Sequence, residues 1–260
     1  MHMASDNHNS PVRAAVVGLG MGGIHTKTLL ASDEAEIVGL ADLDQERLDA
    51  FVDQVPASAL FTDYKEMLEQ VQPDLTIIAL PNFLHRPVTL DALAAGSHVL
   101  CEKPMAMTVA EAEEMKAAAE AAGKFLGINF SQRFTADHRA LKALAESGDL
   151  GQIYHAYVCW TRRDGIPGFG GWFGQKKVSG GGPLIDLGVH RLDMAMWLMG
   201  NPEVIAVSGA THSNVGIPRA IKEGKNFDVE DYATGFVRFA NGASLILEVS
   251  WAGHQGRHQH

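Results

Sequence analysis

Apolar residues along this chain come in short runs broken by glycine-marked turns, and the runs alternate between strand and helix lengths. Arg13 to Gly18, Glu36 to Ala41, Leu75 to Leu80, His98 to Cys101 and Phe125 to Asn129 are mostly apolar at successive positions, as strands covered on both faces are. Between them, Gly23 to Leu30, Gln45 to Phe51, Asp63 to Glu69 and His85 to Ala95 are spaced as helices. Thr108-Val109-Ala110-Glu111 has the spacing of a capping box and opens an alanine-rich helix that runs to Ala122. Strands and helices in strict alternation predict a parallel sheet with helices on both faces.

The pattern changes near Asn129 to Arg133. A helix is expected over Asp137 to Glu146, stopped by Gly148 and Gly151, and a strand over Gln152 to Arg162. Asp164 to Gly182 then holds eight glycines, the composition of a mobile lid or of backbone that approaches a ligand closely. Pro183 to Leu198 reads as a helix with proline in its first turn. Strands follow at Val204 to Ala210, Tyr232 to Phe239 and Ala243 to Val249. The last two are joined by Asn241-Gly242, a hairpin signal that predicts an antiparallel sheet.

With 260 residues, 46% of them hydrophobic, the chain has material for two modest cores. The 21 Lys and Arg against 31 Asp and Glu give a formal charge of −10, which speaks against a nucleic-acid partner. Cys101 and Cys159 have no CxxC partner, so neither a disulfide framework nor a zinc site is expected. The polar start MHMASDNHNS and the lack of a long apolar stretch lead to the expectation of a cytoplasmic protein without a membrane partner.

Candidate chemistry collects at predicted strand ends. Gly18-x-Gly20-x-x-Gly23, with Met21 inside it, follows a strand and opens a helix, where free N–H groups and bare backbone suit a pyrophosphate. Asp42 ends the second strand and is placed to accept hydrogen bonds from an adenosine ribose. Its charge favours NAD over NADP, although Arg47 stands close enough in sequence to reach a phosphate. Pro81, Asn82 and His85 follow the next strand and are cofactor-side candidates by position. The alternative is that Pro81 ends the strand, Asn82 caps the helix, and His85 is simply a helix-start residue. Glu102-Lys103-Pro104 leaves another strand, and a lysine facing the crevice can steady a developing alkoxide. The competing reading of Lys103 is a solvated residue paired with Glu102. Asp186 and His190 share one helix face at i and i+4, a carboxylate beside an imidazole that could act as base. Otherwise Asp186 caps the helix and His190 packs on Trp197.

The stretches VVGLGMGG, ADLD, ALPNFLH, HVLCEKPMAMTVAEAEEM, NFSQRF and GGGPLIDLGVHRLDMAMWLMG, in this order, closely resemble the Gfo/Idh/MocA family of sugar and cyclitol dehydrogenases. The resemblance implies an α/β protein: an N-terminal Rossmann dinucleotide-binding domain (11–130) and a C-terminal α/β domain (131–252) on an open, largely antiparallel sheet, then a polar tail (253–260). It implies NAD, with NADP second, as cofactor. It also implies a sugar or cyclitol as small-molecule partner and a homo-oligomer through the C-terminal sheet. It assigns Lys103, Asp186 and His190 to catalysis, and Gly18, Gly20, Met21, Gly23, Asp42, Pro81, Asn82, His85, Glu102 and Lys103 to the cofactor. Arg133 and Arg162 fall near substrate-lining positions, and no metal is called for. Family members continue past the sheet with further strands, so an exposed sheet edge is expected here, and AGHQGRHQH is expected to be a solvated tail. Two other activities fit the same motifs: redox-assisted glycoside hydrolysis with retained NAD, and a non-catalytic sugar- or nucleotide-responsive regulator or inactive homologue.

Overall fold

The computed structural model describes residues 10–254 and the backbone of His258–Gln259. The chain divides into two compact units that meet between Asn129 and Phe130.

The first unit alternates strand and helix throughout. Its order is β1 (Val12–Val17), α1 (Leu19–Leu30), β2 (Ala35–Ala41), α2 (Gln45–Asp49), β3 (Leu60–Phe61), α3 (Tyr64–Val71), β4 (Leu75–Ile78), α4 (His85–Ala94), β5 (His98–Glu102), α5 (Val109–Ala122) and β6 (Leu126–Asn129). The six strands are all parallel, in the order β3-β2-β1-β4-β5-β6. Successive apolar residues serve opposite faces. Val17 and Ile78 enter a cluster with Val88 and Met115, while their neighbours Val16 and Ile77 enter another with Leu40 and Leu48. This is why these strands show no polar alternation: both faces are covered by helices. The strand order reverses between β1 and β4, and the crevice outside the ends of those two strands is where such sheets take ligands.

At the start of α5 the Thr108 hydroxyl accepts from the Glu111 N–H at 3.2 Å, as the capping box predicts. The reciprocal bond is displaced by one residue, since the Glu111 carboxylate accepts from the Met107 N–H at 3.0 Å.

The second unit comprises α6 (Ala136–Ser147), β7 (His155–Thr161), α7 (Lys176–Ser179), a π-turn (Leu184–Gly188) leading into α8 (Val189–Leu198), β8 (Val204–His212), α9 (Gly216–Lys222), β9 (Tyr232–Phe239), β10 (Ser244–Ser250) and β11 (His258–Gln259). The sheet order is β11-β7-β10-β9-β8. The hairpin expected at Asn241-Gly242 forms, with Gly242 at φ +84° and the Asn241 side chain accepting from the Ala243 N–H at 3.0 Å. Leu245, Leu247, Val249, Val237 and Phe239 face the core together with the fully buried Trp251. The alternate positions Tyr157, Phe236 and Ile246 are exposed.

The sheet is largely antiparallel, as expected, with one parallel pair, β10 with β7. The helix expected over Pro183 to Leu198 forms over Leu184–Leu198, its first turn being a π-turn, a feature that residue periodicity does not signal. One expectation needs correcting here. The tail expected to be solvated lies partly outside the described residues, but its described part extends the sheet. The Gly253 and His254 N–H groups donate to the Arg162 and Arg163 carbonyls, and β11 pairs with β7, whose backbone would otherwise form an open edge.

No helix among the described residues is long and apolar enough to cross a membrane. Nor do the described residues gather three His, Cys, Asp or Glu side chains that could hold a metal ion.

Candidate functional site

In the first unit the turn from β1 to α1 is shaped by what a side chain would hit. Gly18 sits at φ +89°, and a Cβ there would come within 2.5 Å of the Ala79 carbonyl in the turn after β4. The two turns that flank the crevice therefore touch, and only glycine permits it. At Gly22 a Cβ would meet Val16 Cγ1 at 2.9 Å, whereas at Gly23 it would meet only Phe51 Cζ at 3.8 Å. Close packing of helix on strand, the usual duty of the motif's third glycine, thus falls to Gly22 in this chain. Gly20 and Met21 are exposed at the start of α1, leaving bare backbone and first-turn N–H groups for a pyrophosphate.

Asp42 lies at the end of β2, where a ribose is expected. Its Oδ2 accepts from the Leu19 N–H at 2.6 Å and its Oδ1 from the Asp44 N–H at 2.9 Å. Arg47 is drawn toward the same corner, 3.4 Å from Asp42 and 3.3 Å from Asp44. Its guanidinium lies beside Gly20, 3.6 Å from where a Cβ would stand. These residues fit a dinucleotide: a glycine cradle, helix N–H groups and an acid at the end of the second strand.

Pro81 leads into a short turn at Asn82–Leu84, and Asn82 is buried. His85 departs from its expected place on the crevice wall, being fully buried. Its Nδ1 is 2.7 Å from the Pro104 carbonyl oxygen and its Nε2 is 2.8 Å from that of Leu80. Burial pushes this imidazole below the usual histidine range, and the two carbonyls and the Glu102 carboxylate only partly restore it. His85 is therefore packed between the exit of β4 and the turn after β5, where the neutral ring that burial favours donates to one of the two carbonyls at a time.

Glu102 ends β5, and its carboxylate is engaged within the unit. Oε1 is 2.8 Å from His25 Nε2 and accepts from Asn129 Nδ2 at 2.8 Å, while Oε2 accepts from the Lys103 N–H at 3.2 Å. Burial alone would raise its pKa, but the hydrogen bonds from His25 and Asn129 outweigh it and hold the carboxyl below the ordinary range. Glu102 is thus an ionised hub beside Lys103, linking α1, β5 and β6. Lys103 is half-buried at the C-terminal end of β5 and joined to Pro104 by a cis peptide bond. Burial pushes the neighbouring Cys101 thiol up to about 12, so it offers no thiolate.

Sequence reasoning passed over His25 and Asn129. Asn129 was within reach of the strand-end rule, since it closes β6 as Glu102 closes β5. His25 lies one turn beyond Gly22 on α1 and carries no local signal of its own.

In the second unit Asp186 sits in the π-turn and His190 in the first turn of α8. Asp186 Oδ2 accepts from the buried Trp251 Nε1 at 3.0 Å, which fixes the carboxylate to the core of the sheet. The His190 ring stands 5.9 Å from Trp160 and 6.4 Å, edge-on, from Phe130. Trp160 is thus one of its ring neighbours. A π-turn widens the helix locally, and such turns gather at functional sites.

Arg133 makes a two-pronged ion pair with Asp193 and lies over Phe130 and Trp197. Its guanidinium is committed to the second unit's own structure. Arg162 donates to the Gly165 carbonyl at 3.2 Å and lies over Trp160, the ring that also neighbours His190.

Comparison with known proteins agrees with both halves. A family model described as "Oxidoreductase family, NAD-binding Rossmann fold" matches residues 12–130, and the GFO/IDH/MocA C-terminal domain matches residues 138–260. D-glucoside 3-dehydrogenase of Escherichia coli K12 is 36% identical over 257 residues, covering 96% of this chain and 73% of that protein. The structure of GenD2 from gentamicin A biosynthesis, in complex with NAD, superposes with a TM-score of 0.84 at 27% identity, covering 98% of this chain and 70% of that one. Aldose-aldose oxidoreductase from Caulobacter crescentus gives 0.82 at 28% identity, covering 93% and 71%. Since family models match both units and a relative is 36% identical over nearly the whole chain, the protein belongs to the Gfo/Idh/MocA family and is an NAD-binding oxidoreductase.

Proposed function

We propose that this enzyme oxidises a secondary alcohol of a sugar, sugar derivative or cyclitol to the ketone, reversibly, with residues 11–130 holding NAD and residues 131–252 the substrate. The observation that carries the reading is His190 in the first turn of α8, directly after the π-turn that holds the Trp251-anchored Asp186 carboxylate, with its ring against Trp160 and Phe130. Aromatic walls suit the C–H faces of a sugar ring, and an imidazole among them can take a hydroxyl proton. The D-glucoside 3-dehydrogenase and aldose-aldose oxidoreductase among its relatives are named for sugars. When bound, NAD supplies the acceptor for the hydride leaving the carbinol carbon. His190 removes the hydroxyl proton, Asp186 helps set the orientation of that helical turn, and the Lys103 ammonium steadies the developing alkoxide.

The test is a panel of aldoses, uronic acids, inositols, disaccharides and simple glycosides incubated with NAD⁺, with NADH absorbance and product mass followed together. Stoichiometric NADH with an oxidised product supports the reading. Glycoside cleavage without net NADH would replace it with redox-assisted hydrolysis, and sugar binding without either reaction would replace it with a sensor.

Cofactor choice rests on Asp42. A 2′-phosphate would meet its carboxylate, and the cation nearest to hand, Arg47, is already shared between Asp42 and Asp44. NAD is expected to bind at least tenfold more tightly than NADP, a difference of about 1.4 kcal/mol. Calorimetric titration with both cofactors measures it; equal affinities would remove Asp42 from the ribose, and D42A should narrow the gap.

The second unit's sheet supports self-association. All nine residues of β8 are exposed, and Phe236, Ile246 and Tyr157 stand out from the face opposite the core. A long uncovered edge with apolar neighbours favours pairing with a second copy. Light scattering over a concentration series should show mass rising above 28.0 kDa, and a constant monomer mass would contradict this.

A further inference from the structure

We infer that His25, on the helix that follows the glycine cradle, is a positioning residue for Lys103, acting through Glu102. The inference rests on Lys103 having the role proposed above. It begins with a line of short contacts: His25 Nε2 to Glu102 Oε1 at 2.8 Å, then Glu102 Oε2 to the Lys103 N–H at 3.2 Å. Asn129 Nδ2 donates to the same Oε1 at 2.8 Å, so the carboxylate is gripped from α1 on one side and from β6 on the other.

A glutamate side chain has three rotatable torsions and, left alone at a strand exit, would sample several positions. Two donors on one oxygen fix it, and the second oxygen then aims at a single backbone N–H. On the other side of Lys103, the Pro104 carbonyl faces His85 Nδ1 at 2.7 Å. The backbone polar groups that flank the lysine are therefore both held by side chains rather than by regular structure. Such outer contacts commonly set the geometry of a functional group that they do not themselves assist.

His25 is the member of this set that can be altered with least damage. It is partly exposed, whereas His85 is fully buried. With Nε2 donating to a carboxylate, the neutral ring is fixed in the tautomer protonated at that nitrogen. An amide at the same position can offer a comparable N–H. H25Q should therefore preserve what H25A removes.

The decisive measurement is a double-mutant cycle, read as turnover of whichever panel sugar is oxidised, together with site-resolved amide hydrogen exchange on the folded, substrate-free protein. H25A should lower kcat by about tenfold to a hundredfold while NAD affinity changes less than about threefold. H25Q should recover most of the loss. In a K103M background H25A should add less than about a twofold further loss, because the residue it positions is gone. The Lys103 amide should exchange faster in H25A than in wild type, and near the wild-type rate in H25Q. An undiminished kcat in H25A, an equal loss in both backgrounds, or unchanged exchange at Lys103 would each overturn the inference. If K103M itself turns over at the wild-type rate, it is the proposed role of Lys103 that fails, and exchange at its amide still reports whether His25 orders the turn.

Discussion

Replacing His190 by alanine is expected to lower kcat by about 10²- to 10⁴-fold, equivalent to about 2.7 to 5.5 kcal/mol of barrier, with NAD affinity nearly unchanged. On the role proposed for His190 the loss falls on proton transfer, since the residue belongs to α8 and is no part of the Gly18 turn itself. Its ring lies against Phe130 and Trp160, and truncation there removes the imidazole proposed to take the proton. Steady-state kinetics and calorimetry on the same preparation check both halves of the statement. An H190A enzyme with wild-type kcat would show that another group takes the proton, and lost NAD binding would show a structural role instead.

The second large effect is expected at Gly18. Alanine there must adopt φ near +89° and place its Cβ 2.5 Å from the Ala79 carbonyl, so both the backbone and the contact between the β1 and β4 turns are compromised. A strained left-handed alanine alone costs on the order of 1–3 kcal/mol. The displaced turn should weaken NAD binding at least tenfold, with a lower Tm. G22A should be milder, because the obstacle 2.9 Å away is a Val16 methyl. G23A should be close to neutral, since its Cβ meets only an aromatic carbon at 3.8 Å. Thermal melts and NAD titrations of the three variants test this order, and equal sensitivity at all three positions would contradict it.

These effects show which features the sequence carried openly and which it did not. The parallel sheet of the first unit was legible because each strand is short, apolar on successive positions and followed by a helix, a pattern that only a sheet covered on two faces explains. The hairpin at Asn241-Gly242 was equally plain, since its turn chemistry is local. The parallel pairing of β10 with β7 was not, because Ser244 to Ser250 looks the same whichever neighbour it meets. At the candidate site, Gly18 and Asp42 were singled out by their places after β1 and β2. The contacts of His85 and Glu102 with carbonyls, an amide and another histidine carried no such signal. Sequence position identifies a strand end. It does not reveal whether the side chain there faces outward or braces its neighbour.

Asp42 has two employments, and they constrain how coenzyme preference can change. The bond from the Leu19 N–H to Oδ2 supplies the start of α1 with an acceptor that its own N-cap residue, Gly18, has no side chain to provide. A substitution that admits a 2′-phosphate by deleting the carboxylate therefore also uncaps the helix on which the pyrophosphate must rest, at about 1 kcal/mol. Engineering toward NADP by D42A alone should yield a less stable enzyme, whereas D42S or D42N retains an oxygen for Leu19. For this chain, a change of coenzyme is bound to the integrity of the very helix that receives it.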